Sequence, residues 1–354
     1  MLLLRAAKHR FGAGLARILP SGNRCGATVV CLRDGFGATS MKTRSTLVMT
    51  MVAAGLLAPP SPAVAYVRTA TESGAQTEWK TPCVTMEFSL GAPPPVLDAQ
   101  GYLSAAQAAG AAWSQASLDG IDRCTNVIFT VVSVSDVAGK VGLDYHNRLI
   151  FRQNQWCSDP LPKDGSCYDP TALALTSVYQ DTNTGEILDA DVEVNATDYT
   201  WGDYLANPEE TGAQDFRGAI THEFGHVIGL SHTCFTPGGT FADGKPIPRP
   251  LDNNGNPVPD CSASNLPAVI TQATMFASVS AVSPSTEVEL RSLSPDDVQA
   301  ACDIYTFTPN LECVAPSGSG STGEGCSYSG RRGRGCLAGL LAISALALAF
   351  RRRR

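Results

Sequence analysis

The run His222-Glu223-Phe224-Gly225-His226-Val227-Ile228-Gly229-Leu230-Ser231-His232 constrains the fold more tightly than any other stretch of this chain. At about 100° per residue, positions four apart lie on one helical face one turn up, so a helix lets His222 and His226 grip one metal ion together. Glu223 is left beside the metal, not on it. Gly229 suits the end of that helix, where a residue without a Cβ can turn the backbone left-handed and carry His232 back as the third ligand. Three imidazole nitrogens leave a fourth position open for water, the ligand set of a hydrolytic zinc centre. In a chain of this composition the short form, HExxH, arises by chance in roughly two chains per thousand, and the eleven-residue form in a few per million. The plainer reading is an amphipathic helix with surface histidines and an ordinary C-cap glycine. Histidine scarcity weighs against it, since the chain has five in all and only His9 and His146 lie outside the motif. His146, in a predicted loop or strand edge, is read as structural.

On these residues the chain resembles the metzincin clan of zinc peptidases, and within it the matrixins, which follow the same HExxHxxGxxH pattern with a methionine turn downstream. Met275, in Ala273-Thr274-Met275-Phe276-Ala277, is the candidate for that turn, where the resemblance implies a thioether packed beneath the metal site. Further matches span residues 79–308. They include Trp113 in an Ala-rich helix, Asn147 to Trp156, Gly185 to Asn195, and Leu293-Ser294-Pro295-Asp296-Asp297. The last also reads independently as a helix start, with Ser294 as N-cap, Pro295 at the first helical position and acids at the positive end of the dipole.

Three features depart from the matrixin pattern. Thr233 follows the third histidine, where matrixins place Ser and pappalysin-like metzincins place Thr. The interval from His232 to Met275 is long, with a Gly, Pro and Asn-rich insert over Thr236 to Pro259 expected to form a loop beside the cleft. Asp191 stands where the family's second, structural zinc needs a histidine, so one catalytic Zn2+ is expected. The resemblance also implies structural Ca2+ near Asp189, Asp191 and Glu193, which alternate along a predicted strand. Acids alternating on an exposed strand face are equally read as solvated. No cysteine-switch propeptide is visible, because Cys83 lacks the family's flanking residues.

Both ends read as processing signals. Met41-Lys42-Thr43-Arg44 is a basic n-region, Leu47 to Leu57 an apolar core, and Ala63-Val64-Ala65 a small-residue cleavage site, giving a signal peptide over 41–65. Residues 1–40 lack that logic and are read as a start assigned too far upstream or an extended leader. Residues 66–78 form a short N-terminal segment, 79–308 the catalytic domain and 309–325 a Ser/Gly-rich linker. Over 326–354, Gly325-Cys326 precedes a basic patch, an apolar run Leu337 to Phe350 and four terminal arginines. This resembles the myxobacterial C-terminal sorting tail, which implies processing at Cys326 and membrane contact through the tail. A permanent anchor is the alternative. Net charge is −7 for the whole chain. Without the leader and the arginine-rich tail, acids far outnumber bases, which disfavours nucleic acid as a partner.

Eight cysteines fall between Cys83 and Cys313, an even number in an exported chain, and are read as disulfides. Proximity in sequence favours Cys157 with Cys167, Cys234 with Cys261, Cys302 with Cys313 and hence Cys83 with Cys124, although four bridges allow 105 pairings.

Strands are predicted at Cys83 to Phe88, Val127 to Val134, Leu149 to Arg152, Ala172 to Tyr179 and Ile187 to Val194, and helices at Leu103 to Ser117, Asp215 to Leu230 and Pro295 to Tyr305. The expected fold is a zincin-like α/β (α+β) layout, with a twisted, mostly parallel five-stranded sheet, an active-site helix and a C-terminal helix. From the resemblance, Ile187 to Val194 is the candidate edge for an extended peptide. The expected function is a monomeric, secreted or surface-displayed zinc endopeptidase with Glu223 as general base and a protein or peptide substrate. A non-catalytic adhesion module on the same fold and a narrow-specificity maturation protease are the alternatives.

Overall fold

The computed structural model describes residues 2–7 and 66–313, with breaks at 90–93, 95, 135–140, 160–166, 206–212, 239–245, 281–287 and 310–312; at 2–7 and 278–280 only the backbone is described. The signal segment, the rest of the leader, the linker beyond Cys313 and the tail with Cys326 lie outside the described residues. In chain order the elements are β1 (Leu2–Ala7), β2 (Val67–Arg68), β3 (Cys83–Ser89), α1 (Ala99–Ser114), β4 (Ile128–Val134), β5 (Arg148–Arg152), β6 (Ala172–Gln180) and β7 (Ile187–Asn195). There follow β8 (Thr200–Gly202), β9 (Ala213–Asp215), α2 (Phe216–Val227), β10 (Leu230–Ser231), α3 (Ala268–Thr271), β11 (Ser278–Ser280) and α4 (Pro295–Ile304).

The central sheet has the order β6-β7-β5-β3-β4, extended beyond β6 by β1 and β11. The pairs β3/β4, β3/β5 and β5/β7 are parallel, and β6 is antiparallel to β7. The mostly parallel five-stranded sheet expected from the sequence is therefore present. Its strand periodicities match their places. In β3 burial alternates, with Val84, Met86 and Phe88 inward, whereas β7 is covered on both faces, as suits an interior parallel strand.

That corrects one expectation. Ile187–Asn195 is not an edge, because β5 and β6 pair with its two sides; the outermost of the five central strands are β6 and β4. The alternating acids of β7 mimic a half-exposed strand, but all three are fully buried.

Helices α1 and α2 pack on each other and on the sheet around a cluster of rings. Phe216, the first residue of α2, lies within 5.0–6.3 Å, centroid to centroid, of Tyr102, Phe151, Trp201 and Phe88. Phe129 of β4 stacks on Phe224 at 4.7 Å. Helix α1 begins four residues before its predicted start because Asp98 caps it, its carboxylate accepting from the Gly101 N–H at 2.6 Å. Gly110 lets α1 approach closely, since a Cβ there would sit 2.7 Å from Cβ of Phe129. Asp215 caps α2 by accepting from the Gly218 N–H at 2.7 Å, and Arg291 ties Asp215 to Asp203. Ser294 caps α4 with Pro295 in its first turn, as the sequence predicts, and Asp297 makes the cap a reciprocal capping box.

The disulfides join Cys83–Cys313, Cys124–Cys302, Cys157–Cys167 and Cys234–Cys261. The two short-range pairs agree with the sequence expectation, whereas Cys83–Cys124 and Cys302–Cys313 are overturned. Sequence proximity fails there because the segment after α4 returns alongside the strip before β4, with Asn126 N–H donating to the Tyr305 carbonyl at 2.7 Å. Four disulfides fit an exported protein.

Candidate metal centre

Helix α2 carries His222, Glu223 and His226, all fully buried. It ends where Gly229 adopts φ +89°, and a Cβ there would lie 2.4 Å from the Thr77 carbonyl oxygen. Left-handed backbone and close approach both call for glycine. The carbonyls at this helix end are held from outside: Val227 by the Trp79 indole N–H (2.8 Å), Ile228 by the Tyr305 hydroxyl (2.9 Å) and Gly229 by the Thr69 N–H (2.8 Å). Strand β10 then pairs with β2, delivering His232 to the other two histidines.

The three Nε2 atoms lie 3.1–3.2 Å apart. Ligands at about 2.0–2.1 Å from a tetrahedral metal would be about 3.3 Å apart, so the spacing fits one ion bound by three imidazoles. The ring orientations are fixed from behind. His222 Nδ1 donates to the Thr274 carbonyl at 2.6 Å and His226 Nδ1 to the Leu230 carbonyl at 2.8 Å, leaving each Nε2 lone pair aimed inward. Burial pushes His222 down to about 4 and His226 well below its ordinary value, so both rings are neutral and fit to ligate. Among the described residues, this triad is the group of three or more His, Cys, Asp or Glu side chains whose ligand atoms converge.

Glu223 is the buried acid of the site. Its Oε2 accepts from the Thr176 hydroxyl at 2.5 Å, while Oε1 has no hydrogen-bond partner. Burial pushes the carboxyl up to about 8, against a smaller downward pull from Thr176. A carboxyl with one oxygen tethered and the other open is equipped to pass a proton.

Met275 is buried, with its carbonyl accepting from the Thr233 N–H at 3.1 Å. Gly225 makes room for it: a Cβ at 225 would stand 2.2 Å from Met275 Sδ and 2.9 Å from Trp113 Cζ2. Asp297, at the start of α4, accepts from the N–H groups of Thr274 (2.7 Å) and Met275 (3.3 Å) and so holds the turn whose carbonyl orients His222. Thr233 joins in through its hydroxyl, donating to the Ile270 carbonyl at 3.0 Å.

Sequence reasoning missed Thr176, Gly225 and Asp297 as site residues. Each had a local signal: the first hydroxyl after the apolar run Ala172–Leu175, a glycine inside a helix, and the N3 acid of a capping box.

The other candidates lie elsewhere. His146 is exposed and pairs with Glu87 at 2.8 Å. Asp189 Oδ2 accepts from the Asp144 and Tyr145 N–H groups (2.8 and 2.7 Å), and Asp191 accepts from Gly142 and Arg148 N–H (2.9 Å each). Glu193 pairs with Arg152 at 2.5 Å and the Tyr168 hydroxyl at 2.8 Å. These three acids are neither solvated nor drawn into one convergent cluster; the two aspartates pin the 142–148 loop to β7. Burial raises all three, Asp191 to about 7.

No protein-family model matches this chain, and no curated protein matches it. Among the described residues no helix is long and apolar enough to cross a membrane.

Proposed function

We propose that this chain is an exported zinc-dependent endopeptidase of the metzincin clan, matrixin-like in its motif and zincin-like in fold. The observation that carries the reading is the convergence of three oriented Nε2 atoms beside a buried carboxyl with one open oxygen. A donor set of three neutral imidazoles suits zinc with one position left for water. His222, His226 and His232 would hold the zinc ion, which would supply Lewis-acid chemistry toward a scissile carbonyl and a water. Glu223 takes that water's proton on Oε1 and returns it to the leaving amine, while Thr176 keeps the carboxyl from turning away. Burial of the site keeps bulk water from competing for that proton.

Export to the cell surface or medium, with the tail processed at Cys326, belongs to the same proposal. The adhesion-module alternative loses weight because such a module needs no general base. A maturation protease of narrow specificity would use the same machinery.

The test is cleavage of casein or a quenched peptide by the chain starting at Tyr66, beside Glu223→Gln and His226→Ala, with zinc measured on each. Glu223→Gln should keep its zinc and lose turnover by at least about 100-fold. His226→Ala should lose zinc and activity together. Retained cleavage by Glu223→Gln would overturn the assignment.

A further inference from the structure

Two of the three histidines depend on one short stretch, Gly229 to Ser231. The Leu230 carbonyl accepts from His226 Nδ1 at 2.8 Å and so sets the direction of that ring. Ser231 immediately precedes His232, so the path of the chain here decides where the third imidazole lies. The stretch follows the end of α2 at Val227, past the reach of the helix's own hydrogen-bond ladder. It must be held from elsewhere.

The segment before Trp79, which by sequence lies outside the catalytic domain, does the holding. Strand β2 pairs antiparallel with β10, Arg68 opposite Leu230 and Val67 opposite Ser231. Thr69 then makes two bonds to the same stretch: its N–H donates to the Gly229 carbonyl at 2.8 Å and its hydroxyl to the Leu230 carbonyl at 3.2 Å. The Leu230 carbonyl thus receives two donors, His226 and Thr69, one for each lone pair. Thr69 is fixed in turn by Thr77, whose N–H (2.9 Å) and hydroxyl (3.2 Å) both donate to its carbonyl, and the Thr77 carbonyl is the atom against which Gly229 packs. The ends of the segment are tied to α4 and its cap, the Tyr66 hydroxyl donating to Asp303 at 2.9 Å and the Trp79 N–H to the Tyr305 hydroxyl at 3.0 Å. A hydroxyl anchored in this way limits how far the Leu230 carbonyl can swing, and with it the imidazole that the carbonyl orients.

We infer that Thr69 is a positioning residue of the metal centre: it fixes the Leu230 carbonyl that orients His226 and, through the same turn, the place of His232. Its role rests on the reading of the triad as a zinc site, and is independent of what is cleaved there. Residues 66–78 then belong to the metal-binding unit, although they carry no ligand themselves.

The test compares the full chain with Thr69→Val, which keeps the shape and removes the hydroxyl, and Thr69→Ser, which keeps the hydroxyl and removes the methyl. Zinc affinity is measured by competition with a chelator, and exchange of the His226 Nδ1–H is followed by NMR in the metal-free chains, with thermal midpoints confirming that all three are folded. Thr69→Val should bind zinc about tenfold or more weakly, and Thr69→Ser should stay within about twofold of the parent. In the metal-free state the His226 Nδ1–H should exchange about tenfold faster in Thr69→Val and at the parent's rate in Thr69→Ser. Parental affinity and exchange in Thr69→Val would overturn the role. Equal losses in both variants would also overturn it, since packing of the methyl would then be the cause. Faster exchange in Thr69→Val alone, with no zinc bound by any of the three, would support the positioning of His226 and defeat the zinc reading of the triad instead.

Discussion

Gly225 shows how one absent side chain shapes the centre. Its hydrogen occupies the space where a methyl would meet Met275 Sδ at 2.2 Å, inside the helix turn that joins Glu223 to His226. Gly225→Ala should therefore destabilise the fold by about 1–3 kcal/mol and loosen metal retention, because either the sulfur or the helix must move. Calorimetry with chelator competition checks it, and an unchanged midpoint would show that Met275 yields freely. Asp191 supports a second prediction. Burial lifts it from 3.8 to about 7, so the folded chain holds that proton more tightly than the unfolded chain. Its contribution to stability is full below about pH 4 and is lost as pH rises toward 7. Asp191→Asn removes this titration, so the wild-type stability minus that of the variant should shrink between pH 4 and pH 7 in urea unfolding. A difference that grows over that range would reverse the sign.

At the scale of elements, the site is made where helix ends meet turns. Helix α2 supplies two histidines and the acid, but the direction of His222 depends on Thr274, and Thr274 depends on Asp297 of α4. Asp297→Asn places an amide N–H against one of the backbone N–H groups it now accepts from. We expect zinc affinity to fall by about 10–100-fold in competition with a chelator, with Glu223 and all three ligands intact. Equal affinity would mean that the turn keeps its shape without α4. The run Ser294-Pro295-Asp296-Asp297 was legible as a helix start. Its second task was not, because the N–H groups it serves lie more than twenty residues away and are brought there only by packing.

Across the whole molecule, two nested disulfides clasp the two ends of the domain, Cys83–Cys313 outside Cys124–Cys302. With the inner bridge in place, the outer one closes an effective loop of about fifty residues. The chain-entropy account then gives about 4 kcal/mol for the outer bridge, against about 3 kcal/mol for the short Cys157–Cys167 loop. Replacing Cys83 and Cys313 by serine should accordingly cost more stability than replacing Cys157 and Cys167, measured by guanidinium unfolding under oxidising conditions. The opposite order would show that native contacts, not loop closure, set the cost.

The sequence alone determined whatever depends on short spacing. It set the helical repeat that puts His222 and His226 on one face, the glycine that ends the helix before His232, the strand and helix positions, the α4 cap and the two short-range disulfides. Helical period, left-handed freedom and capping act within a few residues, so they can be read without knowing the fold. Tertiary structure decided the rest. It placed β7 inside the sheet between β5 and β6, brought Thr176 to Glu223, and bonded Asp297 to the turn at Thr274 and Met275. It also crossed the long-range cysteines and seated residues 2–7 between β6 and β11. Each of these joins groups far apart in the chain, and such contacts follow from the packing of whole elements rather than from any local pattern.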